Sequence, residues 1–132
     1  MGGEQNLDIL LRTLTATLHD GVHVFATVAK GHMPEGLHPI MQFEEAEGTT
    51  LILLKPEADA HGVRYEFPSR MITLNVHSSL EAVGFIARVA TELATRGMGV
   101  NPVSGFYHDH LFVPVGREQE AMAILAGIAK SA

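Results

Sequence analysis

The residues best suited to chemistry in this sequence are histidines. The chain of 132 residues contains eight histidines and no cysteine. His108 and His110 flank Asp109, so two imidazoles share one face of a strand or lie around a turn, and His77 is a candidate third ligand. Catalytic zinc is commonly held by three protein ligands and a water. One hypothesis is therefore a metal-binding protein or metal-dependent hydrolase, with Asp109 or Glu81 as the base.

Other patterns that would support catalysis are missing from the sequence. No His-Glu-x-x-His pattern is present, and the lack of cysteine excludes zinc-thiolate sites, disulfides and thiol nucleophiles. No Gly-x-Ser-x-Gly elbow and no phosphate-binding glycine loop occurs either. The remaining histidines are scattered over a predicted helix end, a strand and loops, where one site is hard to build. These are His19, His23, His32, His38 and His61.

The composition is that of a globular protein. The 15 acidic and 9 basic side chains give a formal net charge of −6, which argues against nucleic-acid binding because phosphate contacts need a basic surface. Hydrophobic residues make up 46% of the chain, enough for a core without disulfides or structural metal. No segment approaches the roughly 20 apolar residues of a membrane span, and the first residues lack signal-peptide features. We therefore expect a cytoplasmic protein, and the sequence implies no cofactor.

Hydrophobic spacing in the first half predicts one helix followed by strands. Leucines at three- and four-residue steps predict an amphipathic helix that ends at 19–21. Apolar alternation or continuity then predicts strands over 22–28, 41–44, 50–54 and 63–67, the last closed by Pro68. A hairpin turn is expected at 47–48 and a short helix or turn over 55–62. The leucines of the helical stripe are Leu7, Leu10, Leu11, Leu14 and Leu18.

The second half predicts the order strand, helix, strand, strand, helix. Residues 71–77 alternate as a strand, and Ser78-Ser79-Leu80-Glu81 has the capping-box spacing that marks a helix N-terminus. We expect this helix to begin directly after Ser78 and to end at Gly97. Strands follow over 98–106 and 111–115, around a polar turn at 107–110. A last apolar stripe predicts a helix that includes 121–128.

This element order is one strand short of a ferredoxin-like unit. The first half offers strands to spare and no low-complexity linker separates the halves. We therefore predict an α+β protein of two intertwined ferredoxin-like modules, with antiparallel sheets and helices packed on one face. The N-terminal half is expected to span 1–68 and the C-terminal half 69–132, the latter completed by a strand from the former.

Three segments of the chain resemble a known family. Residues 45–53 (EAEGTTLIL), 72–84 (ITLNVHSSLEAVG) and 105–114 (GFYHDHLFVP) are similar to the signature blocks of small bacterial tandem ACT-domain proteins, formerly catalogued as a domain of unknown function. The resemblance extends to CASTOR-like and aspartate-kinase-like ACT domains. It implies ferredoxin-like regulatory modules that bind a small molecule, usually an amino acid, often between paired modules. It further implies a homodimer that is not an enzyme.

The expected topology also indicates where a ligand would bind. In a ferredoxin-like sheet the segments 77–79 and 108–110 should meet at one edge. The helix start there would offer its N–H groups at Ser79 and Leu80 to the carboxylate of an amino acid, while Asp109 would bind the ammonium group. The candidate ligand-binding residues are His77, Ser78, Ser79, Leu80, His108, Asp109 and His110.

Simpler structural roles compete with this hypothesis. Ser78 at a helix start is a common N-cap, worth about 1 kcal/mol without any ligand. Asp109 also suits a hairpin turn, because aspartate readily accepts turn geometry. His77 at a strand end needs only a hydrogen bond to the facing loop. Only the positions of the side chains can distinguish a helix cap or a turn residue from a ligand-binding residue.

Overall fold

The computed structural model describes residues 2–132. Within them lie the helices α1 Leu7–Arg12, α2 Lys55–Ala60, α3 Phe85–Ala94 and α4 Glu118–Ser131. The strands are β1 Ala16–Leu18, β2 His23–Val28, β3 Met41–Glu44, β4 Thr49–Leu54, β5 Arg64–Leu74, β6 Asn101–Ser104 and β7 Asp109–Pro114. The strand pairs for which a register is defined are antiparallel, so the predicted α+β class is confirmed.

Residues 21–69 form one compact unit around an antiparallel sheet. Its strand order is β3-β4-β2-β5, with the first part of β5 at the end. The hairpin between β3 and β4 closes where Glu45 donates its N–H to the Gly48 oxygen over 2.9 Å, which confirms the predicted turn. α2 follows β4 directly and carries a proline in its first turn, where the missing N–H costs nothing. The core of this unit contains Val24, Ala26, Leu51, Leu53, Ala58 and Val63.

Strand β5 shows that the predicted strand end at Pro68 is wrong. The two predicted strands 63–67 and 71–77 are one strand, Arg64–Leu74. Phe67 has a left-handed φ of 57°, and the register against β2 shifts at this point. A bulge tolerates proline because it needs no ladder N–H there. The strand therefore bends and continues where the sequence suggests a stop.

Residues 2–20 and 70–132 form the other compact unit. β1 pairs antiparallel with the end of β5, Ala16 opposite Leu74 and Leu18 opposite Ile72. β7 lies beside β5, and β6 forms the edge next to β7. The predicted boundary between residues 68 and 69 stays a prediction. The core joins α1, α3 and α4 to the strands through Leu10, Leu11, Ile72, Leu74, Val89, Leu93, Leu111, Val113, Leu125 and Ile128.

The first predicted helix is shorter than its leucine pattern suggests. α1 ends at Arg12, and Leu18 belongs to β1. Leu11, Leu14 and Leu18 keep helical spacing across this break, so a three-residue strand is hidden from a periodicity argument. The final helix, α4, is confirmed. None of the helices described within residues 2–132 is long and apolar enough to span a membrane.

The helix expected directly after Ser78 begins only at Phe85, so its predicted start is wrong. Phe85, Val89 and Leu93 are spaced by four residues and all are buried, so they form the stripe that holds α3 on the core. Gly84 precedes them with a φ of +93°, a left-handed conformation that glycine adopts without steric cost. A helix cannot run through this residue, which separates the capping-box sequence from α3.

Candidate ligand-binding site

A buried carboxylate lies at the start of β7. Asp109 is only 6% exposed and is part of a strand, although the sequence indicates a turn there. Ser104 stands opposite it on β6, and the Ser104 hydroxyl donates to Oδ1 of Asp109. The Ser78 hydroxyl donates to Oδ2 over 3.1 Å. Hydroxyl groups thus hold both carboxylate oxygens, and the two segments that the topology predicts to be neighbours do meet.

The same residues border a small cavity of about 130 Å³, which we call the Asp109 cavity. Three serines and the aspartate form its polar part, and four apolar residues form the rest. Among these lining residues, all of them described by the structure, Asp109 has the only ionisable side chain. The cavity therefore combines one carboxylate with neutral hydroxyls and apolar walls. Its lining is Ser78, Ser79, Leu80, Ala82, Phe85, Ile86, Ser104 and Asp109.

The predicted carboxylate seat on Ser79 is already occupied. The Ser79 N–H donates to the backbone oxygen of Glu4 over 2.9 Å. The Ser79 hydroxyl oxygen accepts from the N–H of Glu81 over 3.1 Å. The Ser79 side chain thus bonds within a local turn instead of capping a helix. Local side-chain bonds of this kind compete with helix formation. The Ser79 N–H is therefore not free for an anion in this structure, and a role of Ser79 and Leu80 in ligand binding stays a prediction.

Helix α3 supplies a different N-terminus to the cavity. Its N-cap is Gly84, so no side chain caps the helix, and Phe85 and Ile86 line the cavity. The first N–H groups of a helix have no acceptor within the helix, and the positive end of its dipole lies beside them. Backbone groups of this kind bind anions. The cavity thus lies between the start of α3 and the Asp109 carboxylate.

The three histidines predicted as metal ligands do not form a metal site. The His77 ring packs against Tyr107 and Phe106, with centroid distances of 5.4 Å and 6.4 Å. The rings of His108 and His110 are 6.5 Å apart and meet edge to face. Across the described residues 2–132, no group of three or more His, Cys, Asp or Glu side chains is placed to hold a metal ion. The positions of these histidines therefore give no support to a metal centre built from them.

A histidine contact that the sequence does not reveal lies beside β5. Nε2 of His19 lies 2.7 Å from Oγ1 of Thr73, and Nδ1 of His110 lies 2.9 Å from the same oxygen. Burial lowers the pKa of His110, the charges of His108 and His19 lower it further, and Asp109 acts in the opposite direction. His19 is close to His110 because β1 pairs with β5. A sequence pattern that predicted strand β1 would therefore have indicated this contact.

Family models match both parts of the chain. One model of the ACT domain matches residues 2–70, and a second model of the ACT domain matches residues 66–127. The chain belongs to the ACT-domain family. It carries two ACT domains in tandem, which confirms the resemblance and the ferredoxin-like fold that the resemblance implies. Among curated proteins no match is found.

Solved structures share the ACT fold. VC0802 from Vibrio cholerae, a protein of unknown function, is 40% identical with a TM-score of 0.83 over 93% of this chain and 95% of that one. Atu0741 from Agrobacterium tumefaciens is 19% identical with a TM-score of 0.74 over 88% and 89%. The regulatory subunit of aspartate kinase from Thermus flavus is 8% identical with a TM-score of 0.59 over 87% and 95%. For the last two, the likeness shows a shared ACT fold.

The predicted ligand-binding residues fall into two groups, those that line the Asp109 cavity and those that do not. Ser78, Ser79, Leu80 and Asp109 line it, whereas His77, His108 and His110 do not. Sequence reasoning missed the rest of the lining, although the register of the hairpin around Gly105 would have placed Ser104 opposite Asp109. A role of any of these residues in ligand binding stays a prediction. The missed residues are Ala82, Phe85, Ile86 and Ser104.

Proposed function

We propose that this tandem ACT protein is a non-catalytic regulator that binds a free α-amino acid in the Asp109 cavity. One observation carries the proposal: a buried carboxylate and an uncapped helix N-terminus border the same small space. An α-amino acid carries an ammonium and a carboxylate group on one carbon, and these groups are complementary to the two sides of the cavity. Membership of the ACT family supports this ligand class, because ACT domains are typically regulatory and bind amino acids.

In this proposal the ammonium group donates to Asp109. The Asp109 carboxylate keeps free lone pairs after accepting one bond each from Ser78 and Ser104, so it can accept further bonds. Charge-assisted bonds of this type are roughly twice as strong as neutral ones. The ligand carboxylate faces the N–H groups of Phe85 and Ile86 at the start of α3. The side chain of the ligand lies against the apolar part of the lining.

The volume of the cavity favours a small ligand. At about 130 Å³, it is well below the roughly 300–1,000 Å³ of pockets that hold drug-sized molecules. Glycine, alanine and serine are therefore better candidates than aromatic amino acids. We also propose a cytoplasmic homodimer, because ACT domains often oligomerise and closed two-fold dimers are the commonest homo-oligomers. A light-scattering mass of one chain alone would contradict the dimer.

The test is a thermal-shift screen of the purified full chain against the common amino acids, followed by calorimetry. A ligand at about 100 times its dissociation constant adds about 2.7 kcal/mol to stability, which a melting curve detects. We expect at least one small amino acid to bind and the Asp109→Asn variant to lose this binding. Asp20→Asn changes an exposed aspartate and serves as the matched control. The proposal fails when no amino acid binds, or when Asp109→Asn binds as well as the control.

A further inference from the structure

The N-terminal segment of the chain pairs with the wall of the Asp109 cavity. Glu4 forms an isolated parallel bridge with Ser78. The N–H of Glu4 donates to the His77 oxygen over 2.8 Å, and the N–H of Ser79 donates to the Glu4 oxygen over 2.9 Å. Ser78 and Ser79 both line the cavity. Two backbone hydrogen bonds therefore tie a distant part of the chain to one side of the proposed site.

This pairing requires a glycine at position 3. Gly3 has a φ of +81°, and a Cβ there would lie 2.7 Å from the His77 oxygen, 2.8 Å from the Ser79 nitrogen and 2.9 Å from the Ser78 carbonyl carbon. Real Cβ atoms essentially never approach other atoms so closely, and all three neighbours are backbone atoms that cannot turn away. Any side chain at position 3 would therefore push the two segments apart.

The same segment touches the other end of the wall. Cδ2 of Leu7 lies 3.5 Å from the position of a Cβ on Gly84, the N-cap of α3. Leu7 opens α1, whose N-terminus is capped where the Asn6 side chain accepts from the N–H of Ile9 over 3.1 Å. Residues 3–7, which we call the N-terminal brace, thus hold residues 78–84 at both ends.

Apart from the brace, the wall is held by the Ser78 hydroxyl, which donates to Asp109 over 3.1 Å, and by two local bonds. Within 78–84, the N–H of Ala82 donates to the Ser79 oxygen and the N–H of Glu81 donates to the Ser79 hydroxyl. Leu80 and Val83 are 67% and 85% exposed, so neither anchors the segment in the core. Exposed segments with few buried apolar contacts open at low free energy. The two backbone bonds of the brace are therefore a substantial share of what holds the wall in position.

We propose that Gly3 is a positioning residue for the Asp109 cavity and that the N-terminal brace keeps residues 78–84 in ligand-binding geometry. The inference deepens the proposed function, on which its consequence for binding rests. Release of the brace frees the wall and lowers the fraction of molecules with a formed cavity. Because the apparent affinity falls with the fraction of binding-competent molecules, the ligand then binds more weakly. Ligand binding in turn favours the paired state of the brace.

The first test is hydrogen–deuterium exchange of the ligand-free full chain with the variant Gly3→Ala. Gly2→Ala is the matched control, because a Cβ on Gly2 meets nothing within 4 Å. We expect the amides of Glu4 and Ser79 to exchange at least tenfold faster in Gly3→Ala and to be unchanged in Gly2→Ala. Amides of the core helix α3 should keep their protection. Unchanged exchange at Ser79, or an equal loss of protection through α3, would overturn the inference.

The second test measures binding of glycine, L-alanine and L-serine to the same two variants. We expect Gly3→Ala to weaken binding at least tenfold with little loss of the melting temperature, and Gly2→Ala to bind as the natural protein does. Equal affinity of both variants would overturn the link between brace and site. If the natural protein binds none of the three, that result counts against the proposed function, while the exchange experiment still decides whether the brace holds the wall.

Discussion

The hydroxyl oxygen of Ser78 lies 3.1 Å from Oδ2 of Asp109, although the two residues are 31 positions apart in the chain. One residue follows β5 and the other begins β7, and these strands are neighbours. The contact therefore reports directly on the packing of two separate elements. The contact also provides a hydrogen-bond donor to the Asp109 carboxylate, which is only 6% exposed. A buried carboxylate needs such a donor because burial of an unpaired polar group costs free energy.

Removal of the other donor to this carboxylate should destabilise the protein. In Ser104→Ala, Asp109 loses the hydroxyl that donates to Oδ1. Hydrogen bonds to charged groups contribute about 1.5–3 kcal/mol, so we expect a loss of that order in the free energy of unfolding, measured by urea denaturation. Ser131→Ala removes a hydroxyl that bonds only to carbonyls of its own helix and should change stability by less than about 0.5 kcal/mol. Equal effects of both variants would contradict this account of Asp109.

The sequence allowed this neighbourhood to be predicted but not its details. The topology of a ferredoxin-like unit places residues 77–79 beside residues 108–110, regardless of which side chains they carry. The capping-box pattern predicts a helix start where Ser79 instead accepts from Glu81 within a turn, and nothing in the pattern distinguishes the two uses. The left-handed conformation of Gly84 decides the outcome. A single sequence shows a glycine there but not its φ.

Strand β1 is hidden in the sequence for a related reason. Leu14 and Leu18 continue the helical spacing, while three residues are too few to show a strand period. Its pairing with β5 depends on a long-range contact that local patterns do not contain. The N-terminal brace is hidden from local patterns in the same way, because the need for Gly3 arises from backbone atoms more than 70 positions away. Local periodicity thus predicts elements well and their tertiary partners poorly.

The protein should lose stability as the pH falls below the usual pKa of histidine. The pKa of His110 is lowered in the folded state, first by burial and then by His108 and His19, with Asp109 opposing. The unfolded chain therefore binds the proton more readily. The contribution of His110 to stability is complete above its unfolded pKa of 6.5 and is lost as the pH falls from there toward the lower folded pKa. Urea denaturation at about pH 7.5 and about pH 5.5 measures the loss.

A substitution at position 110 provides the control for this pH dependence. In His110→Asn the amide keeps a hydrogen-bonding group near Thr73 but does not titrate. We expect the drop in stability between the two pH values to become smaller than in the natural protein. His32→Asn replaces an exposed histidine and should leave the drop unchanged. An unchanged drop in His110→Asn would show that another group causes the pH dependence.

Arg70 should contribute more to stability than an ordinary surface arginine. Its Nη1 lies 3.0 Å from a carboxylate oxygen of Glu118, and its Nη2 donates to the His19 oxygen over 2.9 Å. The two side chains of the pair are only 19% and 17% exposed. Loss of two charge-assisted bonds in Arg70→Ala should lower the free energy of unfolding by about 2–3 kcal/mol. In Arg70→Lys, the single ammonium group cannot reproduce the paired bonds of the planar guanidinium, so most of the loss in the free energy of unfolding should remain.

The matched control for Arg70 is another arginine that pairs on the surface. Arg88 bonds to Glu92 over 3.2 Å within α3, and these side chains are 42% and 41% exposed. Exposed pairs at this spacing in a helix contribute about 0.3–0.5 kcal/mol, so Arg88→Ala should have a correspondingly small effect. Denaturation in urea with and without added salt separates the two cases, since salt screens the exposed pair more strongly. Equal losses would contradict the difference in burial.

The position of α3 can be tested with one leucine inside the helix and one leucine before it. Leu93 is fully buried in the core, whereas Leu80 lies before α3 and is 67% exposed. Leu93→Ala should cost about 2–5 kcal/mol because it opens a cavity in close-packed surroundings, while Leu80→Ala should change stability by less than about 0.5 kcal/mol. Urea denaturation of both variants gives the comparison. Similar costs of the two substitutions would contradict this difference in burial.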